Sequence, residues 1–375
     1  MVTPGWSERY PKSRKSSLSP TRTSRRQSLT PAPIKQMAGV AMAGMNGSRH
    51  RSGARYRVQV LVESSIVADA DRARLVGSFP QLRFTFVANE GAWTALAPDA
   101  EVIFTKGAPL VALERADKLR WLQAGTAGVD RWLASDLVGR GVMLTNASGA
   151  HGVPIAEQVL AMALCFATRL NVLIRSQSDQ MAVRRQVFQQ KFELAGQTML
   201  VVGLGDIGGT LARKAHALGM HVIGVRRSGC PTEPCAAVVT PDHLADVLPQ
   251  ADHVALCLPL TTATSGIIGE RQLRSMKPSA YVYNVGRGEA IDGAALRQAL
   301  AEGWIAGAGL DCMAPSDTPP ADDPLWHMPN VILGLHTSGS SPHNSRRITD
   351  IFMANLERYL AGLPLENVID AEAGY

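Results

Sequence analysis

No stretch of this chain is apolar for long enough to cross a membrane as a helix, since none approaches the roughly 18 consecutive apolar residues such a span needs. The start of the chain also lacks the apolar core of a secretory signal. Cysteine is scarce and odd in number: Cys165, Cys230, Cys235, Cys257 and Cys312. None has metal-ligand spacing, and Cys230 with Cys235 forms a lone C-x4-C without a second pair, so free thiols are expected, with neither a disulfide framework nor a metal. Acids are nearly missing from residues 1–52, which hold ten Lys/Arg against Glu8 alone, a net +9. The whole chain carries +6, so the remainder carries −3. A mildly acidic body argues against a nucleic-acid-binding face. The basic stretch 1–52 is rich in Ser, Arg and Pro and has no apolar periodicity, so it is expected to be a disordered tail. Its composition also resembles an organelle transit peptide, against which Pro4, Pro11, Pro20, Pro31 and Pro33 argue. The chain beyond this tail is long enough for two domains, and the expected location is the cytoplasm, with organelle targeting by the tail left open.

The most specific signal is Met199-Leu200-Val201-Val202-Gly203-Leu204-Gly205-Asp206-Ile207-Gly208, an apolar strand running into G-x-G-x-x-G and then a helical stretch. Gly203 permits the tight turn, Gly205 lets the backbone approach a pyrophosphate, and Gly208 lets helix and strand pack. The helical stretch that follows, Thr210 to Leu218, supplies free N–H donors at its N-terminus, and Asp206 and Ile207 within the motif are cofactor-binding candidates. A second strand, His221–Val225, completes the βαβ context. Where an NAD site places an acid for the ribose 2′-hydroxyl, this chain has Arg226-Arg227-Ser228, beginning 21 residues after Gly205. Two guanidiniums and a hydroxyl suit a 2′-phosphate, so NADP(H) is expected in preference to NAD(H), with NAD still possible. The plainer reading of the two arginines is a solvated loop.

The rest of the pattern is α/β. Strands are expected at Val58–Val62, Leu82–Val87, Val102–Thr105, Leu119–Ala124 and Val142–Thr145, and a long apolar helix at Ile155–Leu173 links this first unit to the glycine motif. Beyond the motif, further strands are expected at Val238–Val239, His253–Leu256, Ala280–Asn284, Gly307–Leu310 and Val331–Leu333, giving a doubly wound sheet. A closing helix from Ser340 to Leu360 is expected to return the chain to the first lobe.

Ligands of such sheets bind beyond the carboxyl ends of the strands. Three strand ends carry chemistry: Asn284-Val285-Gly286-Arg287-Gly288, Gly309-Leu310-Asp311 and Gly334-Leu335-His336. Together with Thr126-Ala127-Gly128-Val129-Asp130, Ile155-Ala156-Glu157, Leu258-Pro259-Leu260-Thr261 and Pro324-Leu325-Trp326, they resemble the NAD(P)-dependent D-isomer-specific 2-hydroxyacid dehydrogenase family over about Tyr56 to Tyr375. The Arg226-Arg227-Ser228 variant resembles its NADP-using glyoxylate and hydroxypyruvate reductase branch. The resemblance implies a Rossmann dinucleotide-binding domain (151–337) inserted into a smaller flavodoxin-like substrate domain (53–150 and 338–375), and a homodimer. It implies that Arg287 grips and polarises a 2-keto acid, that His336 donates the proton, and that backbone N–H groups at Ala127 and Gly128 hold the substrate carboxylate. Val285 and Asp311 would then lie near the nicotinamide, and Pro259 and Thr264 would line the cofactor channel. Judged alone, Arg287 could pair with Glu289 or Asp292, and Asp311 could cap a turn.

Two positions depart from the family pattern. Ser316 stands where an acid normally holds the histidine, so activity is expected to be lost at lower pH than in relatives unless Asp317 takes the role. Gly334-Leu335 replaces the usual Thr-Pro before the histidine. A reductase of small 2-keto acids is the leading expectation. The alternative, prompted by Ser316, is a dinucleotide-sensing binding protein with little or no turnover.

Overall fold

The computed structural model describes residues 58–178 and 181–375. The basic stretch 1–52, and with it the expectation of disorder or targeting there, lies outside the described residues.

A first sheet contains β1 (Gln59–Glu63), β2 (Arg83–Val87), β3 (Val102–Thr105), β4 (Trp121–Ala124) and β5 (Met143–Thr145), in the order β2-β1-β3-β4-β5. Every pair is parallel, and β3 and β4 are buried throughout, as expected for strands covered on both faces. A second sheet contains β6 (Thr198–Val202), β7 (His221–Val225), β8 (Ala237–Val239), β9 (His253–Leu256), β10 (Tyr281–Asn284), β11 (Gly307–Leu310) and β12 (Val331–Leu333). Its order is β12-β11-β10-β9-β6-β7-β8, so the direction of winding reverses between β6 and β9. Both sheets are thus doubly wound, as the sequence pattern implies.

Helix α1 (Gly152–Thr168) lies against the second sheet because Ile155, Val159, Ala163 and Phe166 recur at helical spacing and meet Leu211, Ala215 and Tyr283. Phe166 stacks on Tyr281 with centroids 4.7 Å apart. The single helix expected over Ile155–Leu173 is in fact two. Arg169 takes a left-handed conformation, φ 58°, its N–H closing on Phe166 O, and α2 (Leu170–Ser178) departs at 71°. Arginine is no intrinsic breaker. The turn is held by a remote contact, Arg169 Nε to Gln190 O at 3.0 Å. No single helix among the described residues is long and apolar enough to cross a membrane.

Helix α3 (Asp206–Ala217) follows the glycine motif. Helix α4 (Asn344–Leu360) packs Ile348, Phe352 and Leu356 onto the first sheet, where Phe352 stacks on Phe104 at 4.3 Å and tilts against Trp121 at 5.3 Å. The chain then runs beside β5: Val368 bridges Thr145 antiparallel, and Ile369 N donates to Leu144 O at 2.9 Å.

Candidate active site

Register decides which residues meet. Val202 pairs with Leu256, so the glycine turn and the Cys257–Pro259 segment emerge side by side at the reversal point. Asn284 pairs with Leu310, and Leu310 with Leu333, so Val285, Asp311 and Gly334 leave three adjacent strands at one level.

The glycine turn fits a pyrophosphate on steric grounds. A Cβ at Gly203, whose φ is 99°, would lie 2.6 Å from Cys257 O, and one at Gly208 would lie 1.8 Å from Gly203 O. Those two positions admit nothing larger than hydrogen. At Gly205 the same construction meets nothing within 4 Å, which leaves open space on the approach to the α3 N-terminus. Asp206 turns its carboxylate toward Gly152 at the start of α1, and Ile207 lines the cleft. The arginines follow β7: Arg226 N donates to Val239 O and Arg226 Nη1 to Thr232 Oγ1 at 3.1 Å, while Arg227 and Ser228 are exposed. On the facing side, Thr264 Oγ1 donates to Pro259 O at 2.7 Å. Thr264 shapes the turn, and Pro259 faces the cleft.

Arg287 enters this cleft, a cavity of about 160 Å³, between Gly128 and Gly286. A Cβ on Gly128 would fall 1.4 Å from Arg287 Nη2, so glycine is what admits the guanidinium there. Its partner is neither Glu289 nor Asp292. Nε and Nη2 both donate to Asp130 Oδ2, at 3.0 and 2.8 Å, and Nη1 donates to Gly286 O at 2.8 Å. Asp292 instead accepts from Ala294 N and Ala295 N as a helix cap. A guanidinium has five N–H donors. With three engaged, one remains on each terminal nitrogen, a pair suited to a carboxylate or to a carboxylate and carbonyl oxygen. Beside it, the carbonyls of Ala127 and Gly128 are taken by Asn146 Nδ2 and Thr126 Oγ1, each at 2.8 Å, and neither amide N–H has a partner among the described residues.

His336 follows β12 with φ 56°, preceded by Leu335 at 53°. Two consecutive non-glycine residues in the left-handed region require external support. Asp311 provides it: its carbonyl accepts from His336 N at 2.7 Å, and its buried carboxylate accepts from Thr337 N at 3.0 Å, Ser338 N and Ser338 Oγ. The carboxylate of Asp311 is thereby spent on the turn that carries the histidine, and Val285 is buried at the end of β10. Asp317 Oδ2 lies 2.5 Å from His336 Nδ1, and Asp317 Oδ1 accepts from Met313 N at 3.3 Å. Ser316 faces elsewhere, its Oγ accepting from Thr318 N. The histidine's partner is one residue further along than the family spacing places it, because a non-periodic loop does not fix which way its side chains point.

Cys312 carries no motif signal in the sequence, yet it sits at this site. Its Sγ, Asp317 and His336 offer ligand atoms within 4.8 Å of one another. Burial, and then Asp311 and Asp317, push the thiol up to about 12, with Arg287 working the other way, so it stays protonated and unreactive at neutral pH. Cys312 thus feels both the Arg287 and the Asp317 charge. Sequence reasoning also misses Asp130 and Tyr375. The first stands inside the Thr126–Asp130 motif as an acid facing the cleft, and the second is remote in sequence from Arg227 and the glycine turn. A larger open cavity of about 790 Å³, lined by Glu63, Asn89, Trp93 and Arg131, sits at the first sheet and holds none of these groups.

Fold and site together define a two-lobed α/β protein with a dinucleotide cradle and a cationic cleft, and with a histidine–aspartate pair beyond β12. Residues 160–338 match the model of the D-isomer specific 2-hydroxyacid dehydrogenase NAD binding domain. A glyoxylate reductase of Korarchaeum cryptofilum is 33% identical over 264 residues, 69% of this chain and 78% of that one. A D-isomer specific 2-hydroxyacid dehydrogenase family protein from Aeromonas salmonicida superposes with TM-score 0.73 at 30% identity, covering 84% of this chain and 99% of that one. A D-isomer specific 2-hydroxyacid dehydrogenase from Xanthobacter autotrophicus, solved with NADPH and MES, does so with TM-score 0.73 at 25% identity, covering 85% and 100%. The chain belongs to the D-isomer specific 2-hydroxyacid dehydrogenase family, and by that membership it is an NAD(P)-dependent 2-hydroxyacid dehydrogenase.

Proposed function

We propose that the protein is an NADP(H)-preferring reductase of small 2-keto acids of the glyoxylate or hydroxypyruvate type. The observation that carries this is the Arg287 guanidinium, fixed by Asp130 and Gly286 with one donor spare on each terminal nitrogen, in the cleft shared with the glycine turn. A bound nicotinamide supplies the hydride. Arg287 orients the keto acid and draws charge onto the carbonyl oxygen, while the open N–H groups of Ala127 and Gly128 take the carboxylate. His336, with Nδ1 held by Asp317, donates a proton from Nε2 to the forming alkoxide and retrieves it in the reverse direction. Val285 and Asp311 flank the nicotinamide end, and the Pro259 turn braced by Thr264 walls the channel.

The coenzyme preference rests on Arg226, Arg227 and Ser228 directly after β7, where an NAD site places an acid for the ribose hydroxyl. A relative solved with NADPH supports it. The binding-protein alternative drew its motive from Ser316, and a carboxylate 2.5 Å from His336 removes that motive. We infer a homodimer in which the exposed apolar side chains Leu170, Ile174, Met181 and Phe188 are covered by a second copy, to be tested by light scattering.

The test is a panel of 2-keto acids assayed with NADPH and NADH between about pH 5 and 9. Turnover of glyoxylate or hydroxypyruvate with NADPH, lost in Arg287→Ala and His336→Ala, is expected. NADPH binding without reduction of any 2-keto acid would return the reading to the binding protein.

A further inference from the structure

The segment after α4 leaves the first lobe and crosses to the second. Asn367 and Ile369 are pinned beside β5, with Asn146 N donating to Asn367 O at 3.1 Å and Asn367 Nδ2 to Ser148 O at 2.9 Å. A turn at Asp370 comes next, whose carbonyl accepts from Gly374 N at 2.9 Å and Tyr375 N at 3.3 Å. Gly374 is then close to the coenzyme lobe, where an added Cβ would lie 3.3 Å from Thr261 Cγ2. Gly374 and Tyr375 line the same cleft as Gly205, Pro259 and Arg287. The Tyr375 ring lies under the Arg227 guanidinium, 4.5 Å from its central carbon to the ring centroid.

We propose that Tyr375 is a specificity-determining residue of the coenzyme site: its ring holds Arg227 facing the position of a ribose 2′-phosphate, and the 366–375 segment closes the adenosine end of the cleft. An arginine in an exposed loop would otherwise sample many rotamers and lose that entropy on meeting the phosphate. A ring against one face of the guanidinium removes part of that cost beforehand and leaves the N–H edge free, since cation–π attraction uses the face of the ion and hydrogen bonds use its rim. The partner is a phosphate monoester on a ribose. The chemistry selects it over a bare hydroxyl, which offers the guanidinium no charge. This inference rests on the NADP(H) reading above and assigns to Tyr375 a part in it.

The experiment measures binding, not turnover. Wild type, Tyr375→Phe and Tyr375→Ala are titrated calorimetrically with NADPH, NADH, adenosine 2′,5′-bisphosphate and 5′-AMP. Tyr375→Ala is expected to weaken NADPH and the bisphosphate by about fivefold, while NADH and 5′-AMP change by less than about twofold. Tyr375→Phe, which keeps the ring, should match wild type. Equal weakening of all four ligands, or no weakening of the bisphosphate, overturns the proposal while leaving the coenzyme reading intact if wild type still prefers NADPH. A wild type that binds NADPH no more tightly than NADH ends both.

Discussion

Asp317 Oδ2 stands 2.5 Å from Nδ1 of His336, although Asp317 lies one position off the family spacing, which its neighbour Ser316 occupies. The pair is half-exposed, so the attraction itself is screened, and its value is orientational: with Nδ1 occupied, Nε2 is the nitrogen left to meet a substrate under the proposed function. Asp317→Asn keeps the shape and removes the charge beside Nδ1 of His336. It should lower kcat at least about tenfold with KM little changed, whereas Ser316→Ala should stay within about twofold of wild type. Steady-state kinetics on the two variants check this, and equal effects would remove Asp317 from the role.

Arg287 depends on space in the same way. Because a Cβ at position 128 would overlap Nη2, Gly128→Ala must push the guanidinium off Asp130. The expected result is a fall in kcat/KM of about 100-fold while the melting temperature stays within a few degrees. Arg287→Lys should not rescue activity, since an ammonium cannot hold Asp130 and Gly286 and still present two parallel donors. A fully active Gly128→Ala variant would show that the observed guanidinium position is not the working one.

The fold was legible because its signals are local and redundant. Strands buried on both faces are continuous apolar runs, and the glycine turn is a steric requirement written into three positions. Arg287, Asp311 and His336 could be placed because strand ends follow from strand order. What escaped depends on contacts between distant segments. The break at Arg169 is held by Gln190, the partner of Arg287 is Asp130 on the other lobe, and Arg227 meets Tyr375. Spacing within a loop such as 313–323 carries no period, so it located an acid near His336 without fixing which residue turns inward.

The arginines after β7 make a separate prediction. Arg226 is held by Thr232, so its replacement removes charge and disturbs the turn at 228–232 as well. Arg226→Asp offers an acceptor to a ribose hydroxyl and repels a phosphate. The ratio of NADPH to NADH affinity should fall by at least about tenfold. Coenzyme titration followed by quenching of tryptophan fluorescence measures it. An unchanged ratio would assign the pair to the solvated-loop reading.

His253 contributes to the pH dependence of stability. It is fully buried in the second sheet, with Nδ1 2.9 Å from Tyr283 Oη and Nε2 2.7 Å from Gln197 Oε1, an arrangement satisfied by a neutral ring that accepts at one nitrogen and donates at the other. Burial lowers its pKa to about 4, with Asp252 working in the opposite sense and Lys277 adding to the depression. The unfolded chain takes up a proton near 6.5 and the folded one does not until about 4. The stability this group contributes is therefore complete above pH 6.5, drains away as the pH falls toward 4, and changes no further below that, where both states are protonated. The loss across the window is on the order of 3 kcal/mol. His253→Gln keeps polar partners without a titrating ring, so the variant should start less stable at neutral pH and lose less on acidification. Denaturation midpoints taken at intervals from about pH 7 to 4.5 should therefore converge for the two proteins. Parallel decline of both would mean that His253 does not contribute to the loss of stability on acidification.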